Sequence, residues 1–431
     1  MNAEADSGLI RSLRRWDLVA VVINGVIGAG IFGLPSRTFA LAGDYSLVSF
    51  AVCAVCVFLI VLSFAEVASR FSGTGGPYLF ARETFGPLTG FLVGWLVWVA
   101  RVTAFSANCS LFPAYLSFFF PATASGWPRA LILTVVVATL AAVNVRGVRN
   151  ATDAGNVFAV GKLLPLAIFI VAGFFFLDRG QFNFAQAPGY HSFSQSVLFL
   201  VYAFTGFEMA VIPAGEVKNP KRDLPPALMI GVAAVVLIYI AIQAVCIGTL
   251  PELAKSTRPL ADAAARFLGS GGAALITVGI VISLAGNLNV LLLSGSRLIF
   301  AMAERDELPP RLAAIHTRFR TPALSILLTA GVMLILTLSG TFIYLLTLST
   351  LSRLATYIVT CGALPVLRRQ TSAPPASFRL PMGPAIAILG VILCLWLLSN
   401  SNLREARDTM IAVIAGLALY SAHRWHKRRL V

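Results

Sequence analysis

Apolar runs long enough to cross a bilayer follow one another along almost the whole sequence, and this leaves few folds open. Twelve can be marked off: residues 18–41, 46–68, 88–120, 130–145, 157–177, 197–214, 228–250, 273–303, 323–338, 342–367, 385–398 and 409–420. A helix needs about 20 residues to cross the hydrocarbon core. The last two runs fall short of that, and the third and eighth are long enough to tilt or to project beyond the bilayer. Within lipid a segment must satisfy its own backbone N–H and C=O groups, so such runs become helices. The expected fold class is an all-α polytopic membrane protein with about 12 transmembrane helices. Composition agrees: of 431 residues 58% are hydrophobic and only 12% charged, where a soluble domain carries about 25% charged residues.

The net charge of +15 could indicate nucleic acid, but its distribution does not. The basic residues gather in alternate loops, among them Arg11, Arg14 and Arg15, then Arg82, Lys218, Lys221 and Arg222, then Arg318 and Arg320, then Arg368 and Arg369, and a tail from Arg424 to Arg429. With the N-terminus in the cytoplasm this is a roughly threefold excess on the inner side, which predicts both termini cytoplasmic. The expected location is the cell membrane, inner or plasma, multi-pass. The basic tail is expected at the anionic inner leaflet, so membrane lipid is an expected partner and nucleic acid is not. All six cysteines lie in apolar runs, so no extracellular disulfide framework is expected. All four histidines lie in loops or the tail, which removes an intramembrane histidine relay. The first apolar run continues straight into a glycine cluster, so it reads as a span rather than a cleavable signal peptide.

That cluster is residues 24–35, NGVIGAGIFGLP, with Gly25, Gly28, Gly30 and Gly33 close together and Pro35 at its end. Each glycine costs roughly 1 kcal/mol in a helix interior. A helix that only had to span would not concentrate that cost at its centre, so a break is expected there. Irregular backbone survives in a bilayer only against protein or a water-filled cavity. A second break is expected in residues 204–213, FTGFEMAVIP, where Gly206 precedes Pro213 by the same seven residues that separate Gly28 from Pro35. Interrupted spans at corresponding places in two halves of a chain point to the binding site of a secondary transporter. The alternative is that the glycines only let helices approach closely. The G-x-G-x-x-G spelled by Gly28, Gly30 and Gly33 is a dinucleotide fingerprint only in a βαβ setting with an acid about 20 residues on, and none lies near position 53.

Charged and polar residues inside the runs are the other signal. Arg101 lies deep in the third run, and a charge there faces a cavity or a partner. Lys162 lies nearer a helix end and could snorkel. Glu208 follows the second break, Asn287 and Asn289 lie in the eighth run, and Ser349 and Arg353 in the tenth. Arg101 could pair with Glu208 or with backbone carbonyls; Glu208 could gate or merely cap the break. Residues 71–78, FSGTGGPY, lack the ending of a phosphate loop and read as a tight turn. Residues 253–268 read as a surface helix.

Four stretches taken together, GVIGAGIFGLP, GTGGPY, FTGFE with AGEVKNPKRDLP behind it, and SGSRLIFAMAERDELP, resemble the amino acid–polyamine–organocation (APC) superfamily of amino acid permeases. They lie in order over most of the chain. The resemblance implies a 5+5 inverted repeat, the LeuT-like or APC fold, with helices 1 and 6 broken. Residues 1–16 would be a mobile cytoplasmic tail and 17–420 a single transporter domain, with repeat one at about 17–180, repeat two at about 193–370 and extra helices at about 384–420; 421–431 would be the basic tail. By resemblance the substrate α-carboxylate is held by Gly28, Ala29 and Gly30. Its ammonium group is held by freed carbonyls of Val26, Phe204 and Thr205, with Ala203 and Gly206 beside them. Arg101, Tyr202 and Leu291 fall at positions that line the family's site, and Ser349 of the tenth run is a further expected substrate contact. Half-helix N-termini suit an anion and freed carbonyls a cation, which agrees independently.

Lys162 matches the fifth-span lysine of members that use protons or need no sodium. A lysine removed from water exchanges its proton more readily than one in solvent, so Lys162 is expected to replace a sodium ion and couple protons to transport. No cofactor is expected, and the coupling ion is the proton rather than sodium. Arg101 departs from the arginine-exchanging members, which carry a small residue there; Tyr202 and Leu291 stand where those members have tryptophans. A cationic side chain would meet Arg101 unfavourably. The expected function is proton-coupled uptake of neutral, or alternatively acidic, L-amino acids by alternating access. An amino acid exchanger, a polyamine or other organic cation carrier, and a membrane enzyme or sensor remain as alternatives. No nucleophile–base pair or metal cluster supports an enzyme. The expected unit is a monomer or a homodimer.

Overall fold

The computed structural model describes residues 13–73, 75–146, 151–212, 214–371 and 373–430. Fourteen α-helices follow in order: α1 (Arg15–Val26), α2 (Ala29–Ala42), α3 (Ser46–Ala68), α4 (Pro77–Phe85), α5 (Pro87–Leu116), α6 (Gly126–Arg146), α7 (Ala151–Phe175), α8 (Tyr190–Phe204), α9 (Pro220–Thr249), α10 (Pro259–Glu304), α11 (Ala323–Ser339), α12 (Phe342–Arg369), α13 (Gly383–Ser399) and α14 (Leu403–Leu430). Among the described residues there is no β-strand, only an isolated bridge between Leu13 and Val217. Seven stretches are long and apolar enough to cross a membrane, eight if α13 and α14, bent by 119° to each other, count as one; Lys162–Phe175 and Ala323–Ser339 are apolar but shorter. The chain is a multi-pass, all-helical membrane protein.

Local chemistry sets the helix starts. Asp17 Oδ2 accepts the Arg14 N–H at 2.8 Å where α1 begins. Proline at the first position opens α4, α5, α9 and α10, where its missing N–H costs nothing and its φ is already helical. Thr341 Oγ1 accepts the Tyr344 N–H at the start of α12. The long helix α5 packs on α12 and α10, α3 on α9 and α8, and α1 on α9, which brings α1, α2 and α8 into the middle of the bundle.

Several expectations change. The expected tail contains α1 from Arg15, and Leu13 pairs with the loop before α9: its N–H donates to Glu216 O at 3.1 Å and its carbonyl accepts from Lys218 N at 2.9 Å. Residues 1–12 lie outside the described residues. The glycine-rich turn leads into α4, a short helix not expected from the sequence; it buries Tyr78, Phe80 and Ala81. Gly75 N–H donates to Ile212 O at 3.1 Å, so the turn packs beside the second break. The expected surface helix at 253–268 is present but starts later, at Pro259 after a 3-10 turn at Leu253–Lys255, and it meets the eighth run within α10 at a kink at Gly269, where φ is +68°. The first break is narrower than expected. It is confined to Ile27 and Gly28, and Pro35 lies inside α2. Beyond the second break the chain does not resume an α-helix: Phe207–Ala210 is a 3-10 turn, and Pro213 lies outside the described residues.

Candidate functional site

Helix α1 stops at Val26 because Ile27 turns to an extended conformation (φ −68°, ψ 97°), and Gly28 is extended as well. The first N–H groups of α2 and the last carbonyls of α1 therefore have no partners within their own helices. Helix α8 ends at Phe204, Thr205 is extended, and Gly206 has φ +115°, a conformation that L side chains rarely adopt. The two interruptions touch. A Cβ placed on Gly206 would lie 2.2 Å from the Gly25 carbonyl oxygen, and one on Gly30 would lie 2.5 Å from Ala203 Cα. Only glycine permits this backbone-to-backbone approach.

A small cavity opens between the breaks, with Gly25, Val26, Gly28, Ala29 and Gly30 on one side and Tyr202, Thr205, Gly206 and Met209 on the other. Ala104 and Asn108 from α5, Asn287 and Leu291 from α10, and Arg353 from α12 complete it. The N-terminus of α2, a partial positive charge, and the C-terminus of α8, a partial negative charge, thus face one small space. The single hydroxyl proton of Tyr202 is shared between Asn108 Oδ1 and Ala104 O, the latter at 3.2 Å, and Asn108 Nδ2 donates to Asn287 Oδ1.

Of the residues expected at the site, Val26, Gly28, Ala29, Gly30, Tyr202, Thr205, Gly206 and Leu291 line the cavity. Ala203, Phe204, Arg101 and Ser349 do not. Ser349 is fully buried and its hydroxyl donates to Ala100 O at 2.8 Å, tying α12 to α5. The Val26 carbonyl is already engaged: Tyr239 Oη, from α9, lies 3.0 Å from Val26 O and 3.1 Å from Ala203 O. Tyr239 thus bridges the two breaks. Lys162 reaches the same region from α7 and donates from Nζ to Asn24 O at 2.7 Å.

Glu208 does not pair with Arg101. Its carboxylate takes the Gly206 N–H at 2.9 Å, the Tyr357 hydroxyl at 3.0 Å and the Arg353 guanidinium. Arg101 is 5% exposed, and among the described residues it has neither an ion pair nor a hydrogen bond. A separate network lies where α4 meets the chain after α10: Glu307 accepts from Tyr78 at 3.0 Å and pairs with Arg82. Burial pushes the Glu307 carboxyl above its ordinary range in spite of Arg82 beside it.

Sequence reasoning missed Asn108, Tyr239 and the lining role of Arg353. Each sits in a regular helix, and only packing shows what it faces. The spacing of Arg101, Ala104 and Asn108 on one helix face was the available signal for Asn108.

Residues 13–420 match the family model described as amino acid permease. The serine/threonine exchanger SteT of Bacillus subtilis (strain 168) is 29% identical, with 98% of each chain covered. The branched-chain amino acid permease BcaP of the same organism is 25% identical over 96% of this chain and 93% of the relative. The arginine/agmatine antiporter of Chlamydia pneumoniae is 25% identical over 94% and 88%. These relatives are transporters, not enzymes, and the protein described here belongs to the amino acid permease family.

Proposed function

We propose that this permease is a secondary carrier that holds the backbone of an amino acid between its two broken helices and works by alternating access. The observation that carries this reading is the contact of Gly25 with Gly206, which sets an N–H-bearing helix end and a carbonyl-bearing helix end around one cavity. The N–H groups at Ala29 and Gly30 suit the α-carboxylate. The Phe204 and Thr205 carbonyls suit the ammonium group. On this reading α1 with α2 form the first of twelve spans in a 5+5 inverted repeat, and both termini are cytoplasmic. The Glu208, Arg353 and Tyr357 cluster then acts as a gate at the cavity wall. The unit is a monomer or a homodimer in a lipid membrane.

Lys162 holds the end of α1 through Asn24 O, where a coupling ion would otherwise organise the freed carbonyls. Gain and loss of its proton would then change how α1 is held, which couples uptake to a proton gradient. Radiolabelled uptake into proteoliposomes, with and without an inward pH gradient, tests this. Lys162→Ala is expected to abolish uptake or its response to the gradient; a variant with wild-type, gradient-driven uptake would rule out the coupling role.

An exchanger is the second reading, favoured by SteT, a relative whose name is that of an exchanger. It predicts that internal amino acid accelerates entry of the external one. A polyamine carrier is disfavoured by Arg353 in the cavity wall and Arg101 behind it.

A further inference from the structure

Among the described residues, the middle of the bundle carries more positive charge than its own side chains neutralise. Arg101, Lys162 and Arg353 are each about 5% exposed, and the buried carboxylate among them is Glu208. Arg353 takes that carboxylate. Lysine can be neutral when dehydrated, but arginine keeps its proton in proteins. Arg101 therefore holds a charge in a buried place with no partner among the described residues, and the charged groups that act on it are Arg353 and Glu208, already joined to each other.

One unsatisfied donor lies in the cavity wall and a second guanidinium lies behind it. Arg353 lines the cavity, and its Nε is buried with no hydrogen-bond partner. Arg101 lies one turn from the lining residue Ala104 and two turns from Asn108, on the same face of α5. A buried cation without compensation is costly. A zwitterion with a neutral side chain brings no net charge to offset it, since its carboxylate and ammonium are taken up by the two helix breaks.

We infer that the substrate carries a second carboxylate on its side chain, and that Arg353 and Arg101 recognise it. The substrate class is then acidic L-amino acids, with glutamate and aspartate the smallest natural examples. Arg353, in the cavity wall and with its Nε unbonded, gives a hydrogen bond to this carboxylate, and Arg101 behind the wall supplies the balancing charge. This rests on the carrier reading above and narrows it from neutral or acidic side chains to acidic ones.

Isothermal titration of the purified full-length protein at pH 7 separates the possibilities, using pairs that differ in charge but hardly in size: L-glutamate with L-glutamine, and L-aspartate with L-asparagine. In the wild-type protein the acid is expected to bind at least tenfold more tightly than its amide. Arg101→Gln is expected to bring the two within about threefold, and Arg101→Lys to restore a preference for the acid. Amides that bind the wild-type protein as well as the acids would overturn the inference and leave the carrier reading standing. So would an undiminished preference in a folded Arg101→Gln variant. If that variant does not fold, the wild-type ratio alone decides. Failure of every natural amino acid to bind would remove the carrier reading itself, and this inference with it.

Discussion

The two helix breaks meet at one cavity but are held in opposite ways. The first exposes carbonyls at the end of α1, and donors from other helices come to them: Lys162 to Asn24 O and Tyr239 to Val26 O. The second leaves an N–H at Gly206, and an acceptor comes to it, the carboxylate of Glu208. The backbones differ in the same sense. Gly28 has φ −135°, extended backbone open to any residue, whereas Gly206 at +115° is not. The first break is a gap whose edges are supported from outside. The second is a sharp turn locked by its own side chain and by α12, through Arg353 and Tyr357. A break supported from outside can respond to what its supports do, such as the loss of a proton or the arrival of a substrate. A break locked from within moves only when α12 moves with it.

Alanine in place of each glycine tests this most severely. Gly206→Ala sets a side chain at a strained φ, worth about 1–3 kcal/mol, and drives its Cβ to 2.2 Å from the Gly25 carbonyl oxygen. Uptake is expected to fall below a tenth of wild type, with a lowered thermal midpoint in detergent. Gly28→Ala meets only the side chain of Asn287, with its Nδ2 nearest at 3.3 Å, which must give by a few tenths of an ångström. Its loss of uptake is expected to be a few-fold. Equal effects at the two positions would break the distinction between an open gap and a locked turn.

Glu208→Gln comes next. It keeps an acceptor for the Gly206 N–H and removes the charge that Arg353 pairs with. Removing one partner of a buried ion pair costs about 3–5 kcal/mol, because the other charge is left uncompensated. The single variant is expected to lose several degrees of thermal midpoint in detergent. Glu208→Gln combined with Arg353→Gln is expected to recover much of that, which a double-mutant cycle measures. Additive losses would mean that the lock does not act as a unit.

The contrast between the breaks also explains what was legible in the chain. Glycine density marked Gly25–Gly30 and Gly206 correctly, because glycine is costly wherever a plain span would do. The apolar runs marked nearly every long helix, because lipid leaves the backbone no other choice. Pro35 misled: it sits within α2 and ends nothing. The Glu208 partner was missed because α12 lies about 145 residues away in the chain, and no local pattern connects them. Ser349 looked like a site residue and proved to be a tie between α5 and α12, since a serine hydroxyl in an apolar span serves either purpose. Tyr239 gave no local sign at all. A tyrosine in a run of Val, Leu and Ile reads as packing until the carbonyls it serves are placed beside it.

Tyr239 is also where the two breaks are joined, and its removal gives the smallest expected effect. Its hydroxyl has a single proton for two carbonyl acceptors, Val26 O and Ala203 O, so one acceptor is always poorly served. Tyr239→Phe keeps the ring, which packs edge-on to Phe50 at 6.4 Å, and removes only the bridge. A hydrogen bond of this kind contributes about 0.5–1.5 kcal/mol net. The thermal midpoint is expected to fall by a few degrees at most. The effect on binding has the opposite sign, because a substrate ammonium no longer competes with the hydroxyl for Val26 O. Substrate should therefore bind Tyr239→Phe as well as wild type or up to a few-fold more tightly, as measured by titration. Weaker binding would show that the hydroxyl shapes the site by holding α1 and α8 together, and the first break would then be no more open to its surroundings than the second.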